Sequence, residues 1–259
     1  MLSYSLNISS LLREYAFVER FDQARRLGFN RVEFLWPNGE DPLELAKRGR
    51  AAQVQAVLIN FYAGNLQNND RGLLNSRDRW DEFCAQVPIG LELAQALGCN
   101  KMHALAGRWR NDESPESQLA RLRDRYRWLC EQAKPAGVTV LIEHLCPQWN
   151  GNYIFKTSRD TLAFIDSVGV DNLGLQYDVF NAQRVEGDII ATIRELWPRM
   201  AHIQIADSPD RHEPGTGELN FANILRTIDQ SGYAGFVGLE YWASGSGAGS
   251  TEQSLAWMR

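Results

Sequence analysis

Histidine is scarce in this chain, with four in 259 residues. That is too few for a His-rich centre holding several metal ions. Cysteine is equally sparse: Cys84, Cys99, Cys130 and Cys146 form neither a C-x-x-C pair nor a zinc-ligand spacing. They read as reduced, mostly buried thiols of a cytoplasmic protein. No run approaches the roughly 18 apolar residues of a membrane span. The N-terminus has no basic stretch leading into an apolar one, and its first basic residue is Arg13. Positive charge is in deficit, with a net charge of −5 and a sequence pI near 5.5. The composition therefore points away from nucleic-acid and membrane partners. The arginine run from Arg121 to Arg127 sits among acids on a predicted helix and reads as a solvated face. Low-complexity sequence is confined to the Ser/Gly stretch from Ala243 to Ser250.

Hydrophobic residues make up 44 % of the chain, ample for a core. A helical pattern ending in Gly and followed within a few residues by a β-branched or aromatic run recurs at Gly28, Gly98, Gly137, Gly169 and Gly232. Glycine just past a helix enters the left-handed region without a Cβ clash and stops the helix. Repeated helix-to-strand junctions argue for alternating β and α units around a parallel sheet. Strands are expected over about 2–7, 31–35, 55–60, 101–105, 138–143, 173–178, 200–205 and 236–240. Eight such units in about 250 residues make a (β/α)8 TIM barrel. The expectation is a single α/β domain over 1–259, with a short C-terminal helix starting near Thr251 after the Gly/Ser linker. One intervening helix carries Phe83, Val87, Leu91, Ala94 and Leu97 on one face, with Pro88 marking a kink or its first turn. The αβ connections are short. The βα connections 61–77, 144–157 and 206–219 are long and polar, and all would open on the C-terminal face of a barrel.

Four oxygen-bearing side chains close four consecutive expected strands: Glu143, Asp178, Gln204 and Glu240. Each lies about one βα unit from the next, as adjacent strands require. Any one of them alone could cap a helix or pair with an arginine. Three carboxylates meeting on one face repel, and a hard cation is their natural partner. Oxygen donors without thiolate favour Mg2+ or Mn2+ over structural zinc. One divalent ion per chain is expected.

The segments Gln176 to Arg184, His202 to Asp207, Arg211 to Glu218 and Gly238 to Tyr241 resemble the hydroxypyruvate isomerase family, within the xylose isomerase-like TIM barrels. So do Leu6 to Ser9, Gly28 to Phe34, Ala63-Gly64 and Arg71-Gly72. The resemblance covers nearly the whole chain. It implies a divalent metal at Glu143, Asp178, Gln204 and Glu240, with Glu143 and Glu240 as the proton-transfer pair. The implied reaction is aldose–ketose isomerisation of a small hydroxy-oxo acid or sugar. The ion acts as a Lewis acid and the two glutamates move a proton through an enediolate. Asn7, His103, Asn181, His202, Arg211 and His212 are candidate substrate contacts; His202 falls one layer deeper than Gln204. The chain departs from the family at Asn181, usually His, at His144, usually Pro or a small residue, and at the bulky Phe61-Tyr62. With these placed around the substrate space, an acid or sugar of four or more carbons is expected. A ketose 3-epimerase is the nearest alternative, although such enzymes usually carry His at the position of Gln204. A non-catalytic sugar- or metal-binding barrel is a third reading, and association into a homo-oligomer is compatible with all three.

Overall fold

The computed structural model describes residues 1–258, apart from the side chain of Gln67. The last residue of the expected 1–259 domain lies outside the described residues. Eight parallel strands close into a barrel in sequence order. They are β1 (Ser3–Asn7), β2 (Arg31–Phe34), β3 (Gln55–Asn60), β4 (Lys101–His103), β5 (Thr139–Glu143), β6 (Leu173–Asp178), β7 (Met200–Ile205) and β8 (Phe236–Leu239). Pairing of Ser3 with Phe236 through Leu6 with Leu239 joins β1 to β8 and removes both sheet edges. The expected TIM barrel is thus observed. Some strands are shorter than expected: β4 stops at His103, and Glu240 lies one residue beyond β8.

Side-chain alternation sorts each strand into two faces. Outward residues such as Leu6, Val32, Met102, Val140, Leu175, Ile203 and Val237 are buried in a continuous apolar layer under the helices. The helix Trp80–Ala96 contributes Phe83, Val87, Leu93 and Ala94 to that layer. Pro88 lies inside this helix rather than in its first turn, and Leu91 is only partly buried. Helices stop where the sequence places glycine: Gly137 and Gly169 have φ of 67° and 74°, open to glycine at no steric cost.

The inward face of the upper barrel is polar. Ser5, Asn7, Glu33, His103, Glu143, Gln176, Asp178, His202 and Gln204 are all buried there. The loops 61–79, 144–157 and 206–220 rise from the C-terminal ends of β3, β5 and β7. The Gly/Ser stretch leads into the short helix Ser250–Ser254, where the Leu12 amide donates to Thr251 Oγ1 at 2.8 Å.

Candidate active site

Asp178 ends β6 and begins the helix Val179–Val185, whose Phe180 amide donates to Asp178 Oδ1 at 2.9 Å. This cap leaves Oδ2 for the barrel mouth. Glu143 ends β5, one strand away. Asn181 Nδ2 lies between the two, donating to Asp178 Oδ2 at 2.6 Å and to Glu143 Oε1 at 3.0 Å. Gln176 Nε2 reaches the other oxygen of Glu143 at 3.1 Å and Gln204 Oε1 at 2.6 Å. Glu240 completes the ring: Asn7 Nδ2 donates to its Oε1 at 3.1 Å and Arg211 Nη2 to its Oε2 at 2.5 Å. One carboxylate oxygen from each of Glu143, Asp178 and Glu240 falls within 4.8 Å of the others.

Arg211 is carried by the 206–220 loop, which winds around a buried carboxylate. Asp207 accepts backbone N–H groups from Ser208 and Leu219 on one oxygen and from Gly215 and Gly217 on the other. A Cβ at Gly217 would stand 2.0 Å from the Ser208 carbonyl. This turn holds Arg211 at a left-handed φ of 60°, a conformation that non-glycine residues take only when their surroundings impose it. The guanidinium lies over the rings of Phe180 and Trp149, at 5.0 and 5.9 Å from their centroids. It bridges Glu240 to Asp178, whose Oδ2 it meets at 3.0 Å. Burial opposes its charge, but Asp178, Glu240 and Glu143 outweigh that and raise its pKa.

Beneath this ring sits a fourth carboxylate. Glu33 of β2 is fully buried. It accepts from Ser5, Asn7 and Gln204 and meets His202 Nε2 at 2.7 Å. Because Gln204 Nε2 is committed to Glu33 at 2.7 Å, its Oε1 is the atom left for the upper side. His103 Nδ1 lies 3.7 Å from Glu143 Oε2. Burial, with His202 nearby, pushes the His103 pKa down to about 3. This contact is therefore that of a neutral imidazole, not an ion pair.

The carboxylates are held in the opposite direction. Burial pushes Glu143 well above the ordinary range; Glu240 and Asp178 add to this, while Arg211 and Asn181 oppose it. Burial likewise raises Glu240 to about 7, against the pull of Arg211. Asp178 is raised by burial, again against Arg211. One guanidinium does not balance three buried carboxylates, and a divalent cation fits the remaining charge. The donor set agrees with that fit: three carboxylates and the amide oxygen of Gln204, all hard oxygen ligands. The buried Oε1 of Gln176 has no partner among the described residues, a further polar atom available beside the ring.

A cavity of about 470 Å3 opens above the ring. Glu143, Glu240, His103 and Arg211 line it, together with Trp149 and Trp242, whose rings stack at 5.1 Å. The other expected substrate contacts lie elsewhere. His202 is in the layer below, with Glu33. Asn7 and Asn181 have their amides engaged: Asn7 Oδ1 accepts from the Ser9 and Ser10 amides, and Asn181 Oδ1 from the Cys146 amide. His212 Nδ1 contacts the Trp242 carbonyl at 2.8 Å, outside the cavity lining. The departures expected around the substrate also point away. The His144 ring packs edge-on to Tyr177, Phe61 packs on Phe83, and the Tyr62 hydroxyl donates to Glu82 at 2.6 Å. None of them lines the cavity, so they do not support the expectation of a longer substrate.

A family model described as a xylose isomerase-like TIM barrel matches residues 21–259. The chain belongs to that family. It is 34 % identical over 258 residues to hydroxypyruvate isomerase of Escherichia coli, covering all of this chain and 98 % of that protein. It is 33 % identical over 259 residues to 2-oxo-tetronate isomerase of Haemophilus influenzae, covering 100 % and 99 %. Both relatives are isomerases. Among solved structures, a protein from Brucella melitensis described as an AP endonuclease of family 2 superposes with a TM-score of 0.93 at 32 % identity, over 100 % of this chain and 98 % of that one.

Two groups, Gln176 beside the ring and Glu33 beneath it, escaped the reading of strand ends. Glu33 lies mid-strand, one layer down, and Gln176 two residues before Asp178. Alternation back from Asp178 puts Gln176 on the inward face, and a carboxylate between Val32 and Phe34 is the signal for Glu33.

Proposed function

We propose that this protein is a metal-dependent isomerase that interconverts the aldose and ketose forms of a small hydroxy-oxo acid. Hydroxypyruvate, giving tartronate semialdehyde, and the 2-oxo-tetronates are the candidate substrates. The observation that carries this reading is the cluster of Glu143, Asp178 and Glu240 at a cavity that Glu143 and Glu240 line, in a chain a third identical, end to end, to enzymes with those two names.

Glu143, Asp178, Gln204 and Glu240 would hold the ion, Mg2+ or Mn2+. Bound there, it supplies Lewis acidity to the carbonyl and hydroxyl oxygens of the substrate. The chain supplies the proton transfers. Glu143 ends β5 and Glu240 follows β8. One, ionised, takes the proton from the hydroxyl-bearing carbon, and the other, protonated, gives a different proton to the former carbonyl carbon. The hydroxyl proton passes to the former carbonyl oxygen, and exchange with solvent resets the two glutamates. Both oxygens of each glutamate have a fixed neighbour: Asn181 and Gln176 for Glu143, Asn7 and Arg211 for Glu240. Neither carboxylate must reorient during the transfer. The stacked Trp149 and Trp242 give the cavity an apolar wall. An endonuclease on this barrel would need a His-rich centre with several metals, and the described residues contain only the one carboxylate trio.

The test is removal of metal with chelator, restoration with Mn2+ or Mg2+, and assay against hydroxypyruvate, 2-oxo-tetronates and free ketoses. Turnover of the acids that vanishes and returns with metal is expected. Preferential C3 epimerisation of free ketoses would favour the epimerase reading instead, and no turnover with any substrate a binding barrel.

A further inference from the structure

Arg71 stands on the cavity wall with Glu143 and Glu240. It belongs to the 61–79 loop and is half-buried. Three acceptors fix it: Asn150 Oδ1 takes Nε at 3.1 Å, and the carbonyls of Asp70 and Leu66 take Nη1 at 2.7 and 3.4 Å. All are neutral. The neighbouring Asp70 carboxylate is turned away, pairing with Arg79 at 2.9 Å and accepting from the Asn65 amide at 2.7 Å. Among the described residues no carboxylate pairs with Arg71, and its Nη2 donates to none of them.

A second guanidinium accentuates the imbalance. Arg108 is clamped by the carbonyls of Asn150 and Asn69, at 2.7 and 2.8 Å, and by Asn69 Oδ1 at 2.9 Å. It too has no carboxylate partner among the described residues. Burial and the Arg108 charge lower the Arg71 pKa and outweigh the opposing pull of Asp70, so an anion beside Arg71 would be favoured. A divalent ion together with Arg211 balances the three carboxylates of the ring. Among the described residues Arg71 is then the cation on the cavity wall that forms no ion pair, whereas Arg211 pairs with Asp178 and Glu240.

We propose that Arg71 is the carboxylate anchor of the cavity: its free guanidinium edge receives the carboxylate of a hydroxy-oxo acid while the sugar-like end of that molecule lies over the Glu143–Glu240 ring. Arg71 thereby separates acids from neutral ketoses of the same carbon skeleton. A guanidinium held rigid by three acceptors loses little freedom on pairing, and charge-assisted pairs of this kind are the strong hydrogen bonds. This assignment rests on the proposed function for its substrate class but not for its geometry.

The experiment titrates glycerate, an unreactive hydroxy acid, and glycerol, its neutral counterpart, into the Mn2+-loaded protein and its Arg71→Met and Arg71→Lys variants. Loss of a charged pair should weaken glycerate binding about 10- to 100-fold in Arg71→Met. Arg71→Lys should fall between, while Mn2+ stoichiometry holds in both. The preference for hydroxypyruvate over dihydroxyacetone in kcat/KM should fall by a similar factor. Equal glycerate affinity in Arg71→Met, or an equal loss for glycerol, would overturn the assignment. Should the variants misfold, a crystal structure of the wild type with Mn2+ and glycerate decides. The carboxylate on Arg71 supports the anchor; the carboxylate on the metal or Arg211 refutes it. If glycerate binds through Arg71 but no hydroxy-oxo acid is isomerised, the functional reading fails and the anchor stands. If acids are isomerised but Arg71→Met leaves their preference unchanged, the anchor fails and the functional reading stands.

Discussion

Four polar side chains converge on the Glu33 carboxylate: Ser5, Asn7, His202 and Gln204. Two of them continue upward, Asn7 to Glu240 and Gln204 through Gln176 to Glu143. Burial disfavours the charge of Glu33, yet His202, Gln204 and Asn7 together keep its pKa below the usual value. Replacing it with an apolar residue leaves several buried groups without their acceptor. Glu33→Leu should therefore cost about 3–5 kcal/mol in urea unfolding, as breaking a buried polar pair does. It should also weaken Mn2+ binding, because Gln204 and Asn7 lose their tether. Wild-type stability with wild-type metal affinity would show that Glu33 does not organise the site. Candidate site residues were legible at or next to strand ends: Glu143 and Asp178 end β5 and β6, and Gln204 is one residue short of the end of β7. Arg211 was legible as a loop arginine and candidate substrate contact, but its bridge from Glu240 to Asp178 was not, because the turn around Asp207 aims it inward and spacing does not reveal that turn.

At the scale of elements, the strand order and the long loops of the C-terminal face followed from glycine-terminated helices and apolar runs. Strand ends were less legible, since β4 pairs over three residues only and its continuation to Leu105 is loop. The fit between β2 and β8 was not legible at all. Gly238 pairs in register with Gln204, and a Cβ there would lie 2.4 Å from Glu33 Oε2. Glu33 is pinned by its four partners and cannot withdraw. Gly238→Ala should destabilise the barrel by about 1–3 kcal/mol, the usual effect of overpacking. It should also lower Mn2+ affinity, because Glu240 lies two residues on. An unchanged urea midpoint would mean that the Glu33 layer is softer than its hydrogen bonds indicate.

For the whole molecule, the carboxylate ring ties folding, metal and pH together. Glu240 rises from an ordinary value of 4.5 to about 7 in the metal-free fold, and Glu143 and Asp178 shift the same way. A carboxyl raised on folding contributes stability below its unfolded pKa and loses it as pH climbs through the folded one. Metal-free protein should therefore lose stability from about pH 4.5 to about 7. Metal requires the ionised ligands, so its affinity should rise over the same interval. The gap in Tm between Mn2+-loaded and metal-free protein should widen with pH; a constant gap would contradict the assigned ligands. The central claim, proton transfer at carbon by Glu143 and Glu240 over a metal, is tested most directly in D2O. Metal-loaded protein is incubated with hydroxypyruvate or a 2-oxo-tetronate, and carbon-bound deuterium is followed by NMR. Deuterium should enter the carbon skeleton, and Glu143→Gln and Glu240→Gln should each slow that entry by about 10²–10⁴-fold while remaining folded. Isomerisation without carbon-bound deuterium, or wild-type exchange in either variant at normal metal content, would contradict the account.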